Sequence, residues 1–276
     1  DIQAELLGEG YGSGDPFDDD VFEGVDEYMK RFQGEMENKA TTLSPEVLQG
    51  IPGDPSNQKA AGSIKCVSFT LSKEETDRLV VSCRLRQAKV QGALVAAALF
   101  ARCTLLQLKV PVHAAVLIPV NTRKLAGVDS SECLCGSAGV WHTLTVGENL
   151  WEVASSSTDS THNGLETQPK EWLRRLFHAP EKLPPYALMV SSIGVAPITN
   201  SSYDELSIKE LLFFGAALQT APQAKGTMVH AVTFDGRLTV MINYTSPGVA
   251  ASFAKDTSRL IQKALLDMIA SAGVDP

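Results

Sequence analysis

The 276-residue chain has no long apolar run: the longest, Leu94 to Ala101, is stopped by Arg102. A bilayer-crossing helix needs about 20 apolar residues, so no membrane span is predicted. Its first residues, DIQAELLGEG, hold neither a basic start nor an apolar core, so no secretory signal is read there. Cysteine is scarce. Five residues (Cys66, Cys83, Cys103, Cys133 and Cys135) form an odd, sparse set in a domain of this length, read as reduced thiols of a cytoplasmic protein. Basic residues are few where the chain is most charged: residues 1–60 carry 14 acidic and 4 basic side chains, against 18 and 20 in the remainder. An acidic segment repels phosphate backbones, and no basic patch with interleaved aromatics follows it, which argues against nucleic-acid binding.

Enough apolar material is present for a substantial core, at 44% of residues. Residues 1–20 are rich in glycine and acid and bury too little to offset ordering, so they are assigned as a tail or loop. Residues 21–60 are assigned as a helix and crossover segment. Val21, Val25, Tyr28, Met29, Phe32 and Met36 mark an amphipathic helix over 21–39, and LSPEVLQGIPG carries a helix-starting Pro45 and a Pro52-Gly53 breaker.

The main domain is assigned to 61–276. Ile64 to Leu71 has strand composition, and Ser72 with Glu75 makes a capping box for a helix over about 73–86. Val90 to Leu108 reads as a second helix whose alanines allow close approach by its neighbours, the core helix of the domain. Val112 to Val120, Ser137 to Val146 and Tyr186 to Ser192 read as strands, and residues 205–219 and 227–234 as further strands. Asp235-Gly236 signals a hairpin turn into RLTVMINYT, and a last amphipathic helix covers about 248–271. A helix begins at Glu148. SSSTDSTHNG (155–164) is read as an interruption or surface loop, with helical spacing resuming over Lys170 to His178.

Five segments in order carry a family resemblance: CVSFTLSKEETDRLVVSC, VQGALVAAALFARC, VLIPVNTR ending at Arg123, NLWEVA and SSIG, closed by a hairpin and helix. This series resembles the C-terminal half of the CoA-dependent acyltransferase and condensation-domain superfamily, in the branch of alcohol O-acetyltransferases and polyketide-associated acyltransferases. The resemblance implies an α/β fold, a chloramphenicol-acetyltransferase-like half with a mixed β-sheet packed against helices. It also implies acyl transfer from a CoA-type or carrier-protein thioester to an alcohol or amine, with no permanently bound cofactor. Ser191, Ser192 and Gly194 match a Ser-Asn-x-Gly segment bordering the substrate tunnel, with Ser192 standing where the family usually has Asn. Asn121 and Arg123 match a strand-ending Asn-x-Arg beside the tunnel, its arginine mainly architectural.

The family's general base is the second histidine of HHxxxDG, and none of His113, His142, His162, His178 and His230 begins HxxxDG. His230 in HAVTFDG has one residue too many, and strand alternation makes it, like His142, a structural histidine. No catalytic residue is therefore assigned to this chain, and the base is expected on a missing N-terminal half or a partner chain. Cys133-x-Cys135 lacks zinc-knuckle spacing, GEGYGSG lacks the strand and lysine of a phosphate loop, and GSAG lacks nucleophile-elbow spacing. Two functions compete: an acyltransferase segment not competent alone, and a non-catalytic binding or assembly module that keeps the half-domain fold.

Overall fold

The computed structural model describes residues 43–48, 51–53, 63–121, 137–165, 186–196, 198, 202–203, 206–215, 227–246 and 248–273. All belong to the unit that runs from Leu43 to Pro276. The assigned tail over 1–20, the helix over 21–39, the helical spacing over 170–178, Arg123 and the Cys133–Cys135 pair lie outside the described residues.

In chain order the elements are α1 (Pro45–Leu48), β1 (Ser63–Thr70), α2 (Lys73–Leu85), α3 (Val90–Leu105), β2 (Val112–Asn121), β3 (Ser137–Val146) and α4 (Leu150–Gly164). β4 (Leu188–Val195), β5 (Ser202–Tyr203), β6 (Leu206–Ser207), β7 (Met228–Phe234), β8 (Arg237–Ser246) and α5 (Ala251–Ser271) follow. Six strands form one mixed sheet in the order β1-β8-β7-β4-β2-β3. β2, β4 and β7 run parallel, and the other pairings are antiparallel. This is the mixed sheet packed against helices that the sequence implied.

Strand alternation sorts the sheet into two faces. Val116, Leu188, Val190, Val229, Ala231, Val240 and Ile242 share one face and merge with the buried sides of the helices into the main core. Helix α3 lies deepest there, with Ala93 through Leu99 almost wholly buried. Its alanines and Gly92 let α4 come close: a Cβ on Gly92 would lie 2.3 Å from the Ala154 carbonyl oxygen. The opposite face carries a smaller cluster of Ala196, Val232, Phe234 and Met241, packed by Ile208, Leu211 and Phe213.

Local signals behave as their chemistry dictates. Ser72 Oγ accepts from the Glu75 N–H, and Glu75 Oε2 accepts from the Ser72 N–H, which completes the capping box. Asp235 and Gly236 both take positive φ, 48° and 73°, the requirement of a type I′ hairpin. Buried Arg102, on the last turn of α3, donates from Nε to the Val47 carbonyl at 2.6 Å and ties α1 to the body.

Two sequence readings change. SSSTDSTHNG is helical through Gly164; Thr158 and Thr161 satisfy their hydroxyls on the carbonyls four residues back, and Ser157 packs inward. Residues 208–215, expected as strand, are extended but have no place in the sheet ladder. They lie across its second face instead.

Candidate functional site

The sheet supplies the site by an incomplete pairing. β2 and β4 pair in register only at Val116↔Leu188 and Leu117↔Met189, just after the Ala187 N–H donates to the Ala115 carbonyl, although β2 continues to Asn121 and β4 to Val195. Past Leu117 and Met189 the two parallel strands run on without a shared ladder. Their carboxyl ends open a gap in the middle of the sheet, the place where parallel α/β sheets take ligands. One backbone group of β4 beyond the last shared pair is met from the helix layer: Gln91 Nε2 donates to the Val190 carbonyl at 2.8 Å.

Ser191, Ser192 and Gly194 line the β4 side of this gap. Ser191 is in register with His230 of β7 and Ser192 with Ala231, after which the register slips and Val195 pairs with Thr233. Gly194 makes the slip possible with φ of +72°, a conformation that β-branched residues resist, and its N–H donates to Ser192 Oγ at 3.3 Å. A Cβ built on Gly194 meets nothing within 4 Å, so space adjoins the bulge. Both serines are half-buried. Asn121 is exposed at the end of β2, paired across to Ser137 of β3. Counting from Leu117↔Met189 puts it level with Ile193, so it and the Ser191–Gly194 bend occupy the same end of the sheet on opposite sides of the gap.

None of the four described histidines is presented as a base at this gap. His230 is 1% exposed; its Nε2 accepts from the Gly215 N–H at 3.1 Å and its ring lies 5.4 Å from that of Phe213. His142, on the helix side, meets Ser157 Oγ through Nε2 at 3.3 Å. Burial lowers both imidazoles to about 4, so at neutral pH each is uncharged. His113 starts β2, away from its carboxyl end, and its Nδ1 meets Thr145 Oγ1. His162 is exposed on the last turn of α4.

The three described cysteines are unsuited to nucleophilic work. Burial pushes the Cys83 thiol up to about 12 and raises those of Cys66 and Cys103. No group of three His, Cys, Asp or Glu residues with metal-binding geometry occurs among the described residues.

Sequence reasoning missed Gln91, Gly215 and Asn243. Asn243 Nδ2 donates to the Gly215 carbonyl at 2.9 Å, and with His230 it grips both backbone groups of that glycine. Its signal was an Asn in phase with Met241, between Ile242 and Tyr244 of β8; Gln91 and Gly215 gave none, because their partners are about 99 and 15 residues away in sequence.

No family model and no curated protein matches the sequence. Solved structures do. The trichothecene 15-O-acetyltransferase of Fusarium sporotrichioides superposes with a TM-score of 0.62 at 13% identity, over 85% of this chain and 52% of its own. Polyketide synthase associated protein 5 of Mycobacterium tuberculosis gives 0.58 at 16% identity, over 89% and 63%. The epimerization domain from the third module of tyrocidine synthetase B gives 0.56 at 14%, over 87% and 58%. The chain thus spans between half and two thirds of the length of these structures. These likenesses show the fold: it is the α/β fold of these structures, a mixed β-sheet packed against helices.

Proposed function

We propose that this chain is the C-terminal portion of an acyltransferase, one wall of a tunnel in which an acyl group passes from a CoA-type or carrier-protein thioester to an alcohol or amine. The gap between the carboxyl ends of β2 and β4, with the Ser191–Gly194 bend on its border, is the observation that carries this reading. In the reaction the acceptor oxygen or nitrogen attacks the thioester carbonyl, its proton passes to an imidazole, the carbon–sulfur bond breaks, and the departing thiolate recovers the proton. Ser191, facing the same side of the sheet as His230, would hold the acyl carbonyl or the acceptor by its hydroxyl. Gly194 would let the backbone come close to the substrate.

The imidazole belongs to an HHxxxDG motif outside this chain, on an N-terminal half or a partner. Buried, uncharged His142 and His230 support that assignment, since each is occupied in packing. The test is release of free CoA thiol from an acyl-CoA with an added alcohol. This chain alone should show none, and joining it to the HHxxxDG-bearing half should restore turnover that is lost when the second histidine becomes alanine. Turnover by the isolated chain would overturn the assignment of the base. Exposed Ile193 and Val195 at the same sheet end favour the alternative, a binding or assembly module. Joined halves that associate and release no thiol would select it.

A further inference from the structure

Residues Ile208 to Gly215 cross the second face of the sheet without entering its ladder, with Leu211, Phe213 and Gly215 turned inward and Leu212 and Phe214 exposed. Phe213 and Leu211 enter the small cluster of Val232, Phe234 and Met241, and the Phe213 N–H approaches Met241 Sδ at 3.1 Å. The remaining attachments converge on Gly215, whose N–H donates to His230 Nε2 and whose carbonyl accepts from Asn243. An added Cβ on Gly215 would stand 3.3 Å from the His230 ring, so the approach is as close as glycine allows.

This grip leaves a deficit. Because Nε2 accepts from Gly215, the ring proton sits on Nδ1, which has no hydrogen-bond partner among the described residues, and Asn243 Oδ1 has none among them either. One is an unmet donor and the other an unmet acceptor on the same sheet face, at 1% and 2% exposure. Each raises the free energy of the closed arrangement, and water would satisfy both once the segment lifts.

We infer that Ile208–Gly215 is a strap, latched by the His230 ring and Asn243 and poised to lift as a unit, uncovering the polar groups of His230 and Asn243 beside Ser191 on the second face of the sheet. Lifting would open the sheet face beside β4, and it stands whether or not the chain takes part in acyl transfer. A protonated ring turns Nε2 into a second donor against the Gly215 N–H, so acid releases the latch. The described residues that face the ring, Ser191 from β4, Met241 and Asn243 from β8 and Phe213 and Gly215 from the strap, carry no charge. Lys209 and Glu210 of the strap are exposed, and on β1 the thiol of Cys66 is in register with Asn243.

Hydrogen–deuterium exchange on the full chain, corrected for intrinsic rates, tests the strap amides of 211–215 against those of 240–243 in β8. Gly215→Ala, whose added methyl presses on the His230 ring and on no residue of β8, should speed strap exchange about tenfold, the factor brought by loss of one hydrogen bond, with β8 unchanged. His230→Phe should do the same, whereas His230→Gln, whose amide oxygen replaces the Nε2 acceptor, should stay near the parent. Acidification through about pH 4 should release the strap in the parent and leave the Gln variant closed. Unchanged strap exchange in Gly215→Ala, or strap and β8 losing protection together in it, would overturn the inference. Should His230→Phe fail to fold, Gly215→Ala and the acid arm still decide.

Discussion

At the residue scale the structure turns on a few positions where one atom more or less is felt. Gly92 is the clearest. A side chain there would meet the Ala154 carbonyl oxygen at 2.3 Å and Thr158 Oγ1 at 2.5 Å, and a helix backbone cannot yield as a flexible side chain does. Gly92→Val is therefore expected to destabilise the fold by about 1–3 kcal/mol through overpacking between α3 and α4, read as a lower urea midpoint with unchanged slope. On the proposed function, Ser191→Ala in this chain joined to an HHxxxDG-bearing half is expected to lower kcat/KM about tenfold, the value of one hydrogen bond made in the transition state. Unaltered kinetics would remove Ser191 from the substrate wall. The serines and Gly194 were visible in the sequence as SSIG. Gln91 and Asn243 were not singled out, since a polar residue on a core helix or strand declares its role only when its partner is known.

At the element scale, local chemistry decided the ends and tertiary packing decided the rest. The capping box of α2 was legible because both of its hydrogen bonds lie within four residues. Ser72→Ala is expected to cost about 1 kcal/mol and to lower the melting temperature by a few degrees. The polar run over 155–164 shows the opposite case. Its serines and threonines favour turns when considered alone, yet their small volume lets α4 lie against Gly92 of α3, and burial of Trp151, Val153 and Ala154 carries the helix onward. Residues 208–215 failed as a strand for a related reason. Their alternation is that of a strand, but alternation records only that one side is buried, and a segment laid across a sheet satisfies it as well as one hydrogen-bonded at its edge.

At the scale of the whole molecule, two uncharged imidazoles on opposite sides of the sheet make stability depend on pH. His142 and His230 take up protons near pH 6.5 in the unfolded chain and near pH 4 in the folded one. The unfolded state therefore binds more protons between these values. Stability is fully present above pH 6.5 and falls as pH drops towards 4, by about 3 kcal/mol for each imidazole, with no further loss from these groups below that. The urea midpoint is expected to fall steadily from pH 7 to pH 4.5, and His142→Leu should flatten part of the slope. A midpoint constant over that range would show that the rings are not held uncharged.

The sequence by itself determined most helices and strands of the main domain, the hairpin at Asp235-Gly236 and the likeness to an acyltransferase half, because each is written in spacings of a few residues. It also marked the Ser191–Gly194 bend and the lack of an HxxxDG histidine. Only the tertiary structure decided where β2 and β4 cease to pair, which side chains grip Gly215, and that 208–215 lies across the sheet. Those features depend on contacts between residues far apart in sequence, whose energies exist only once the chain has brought them together.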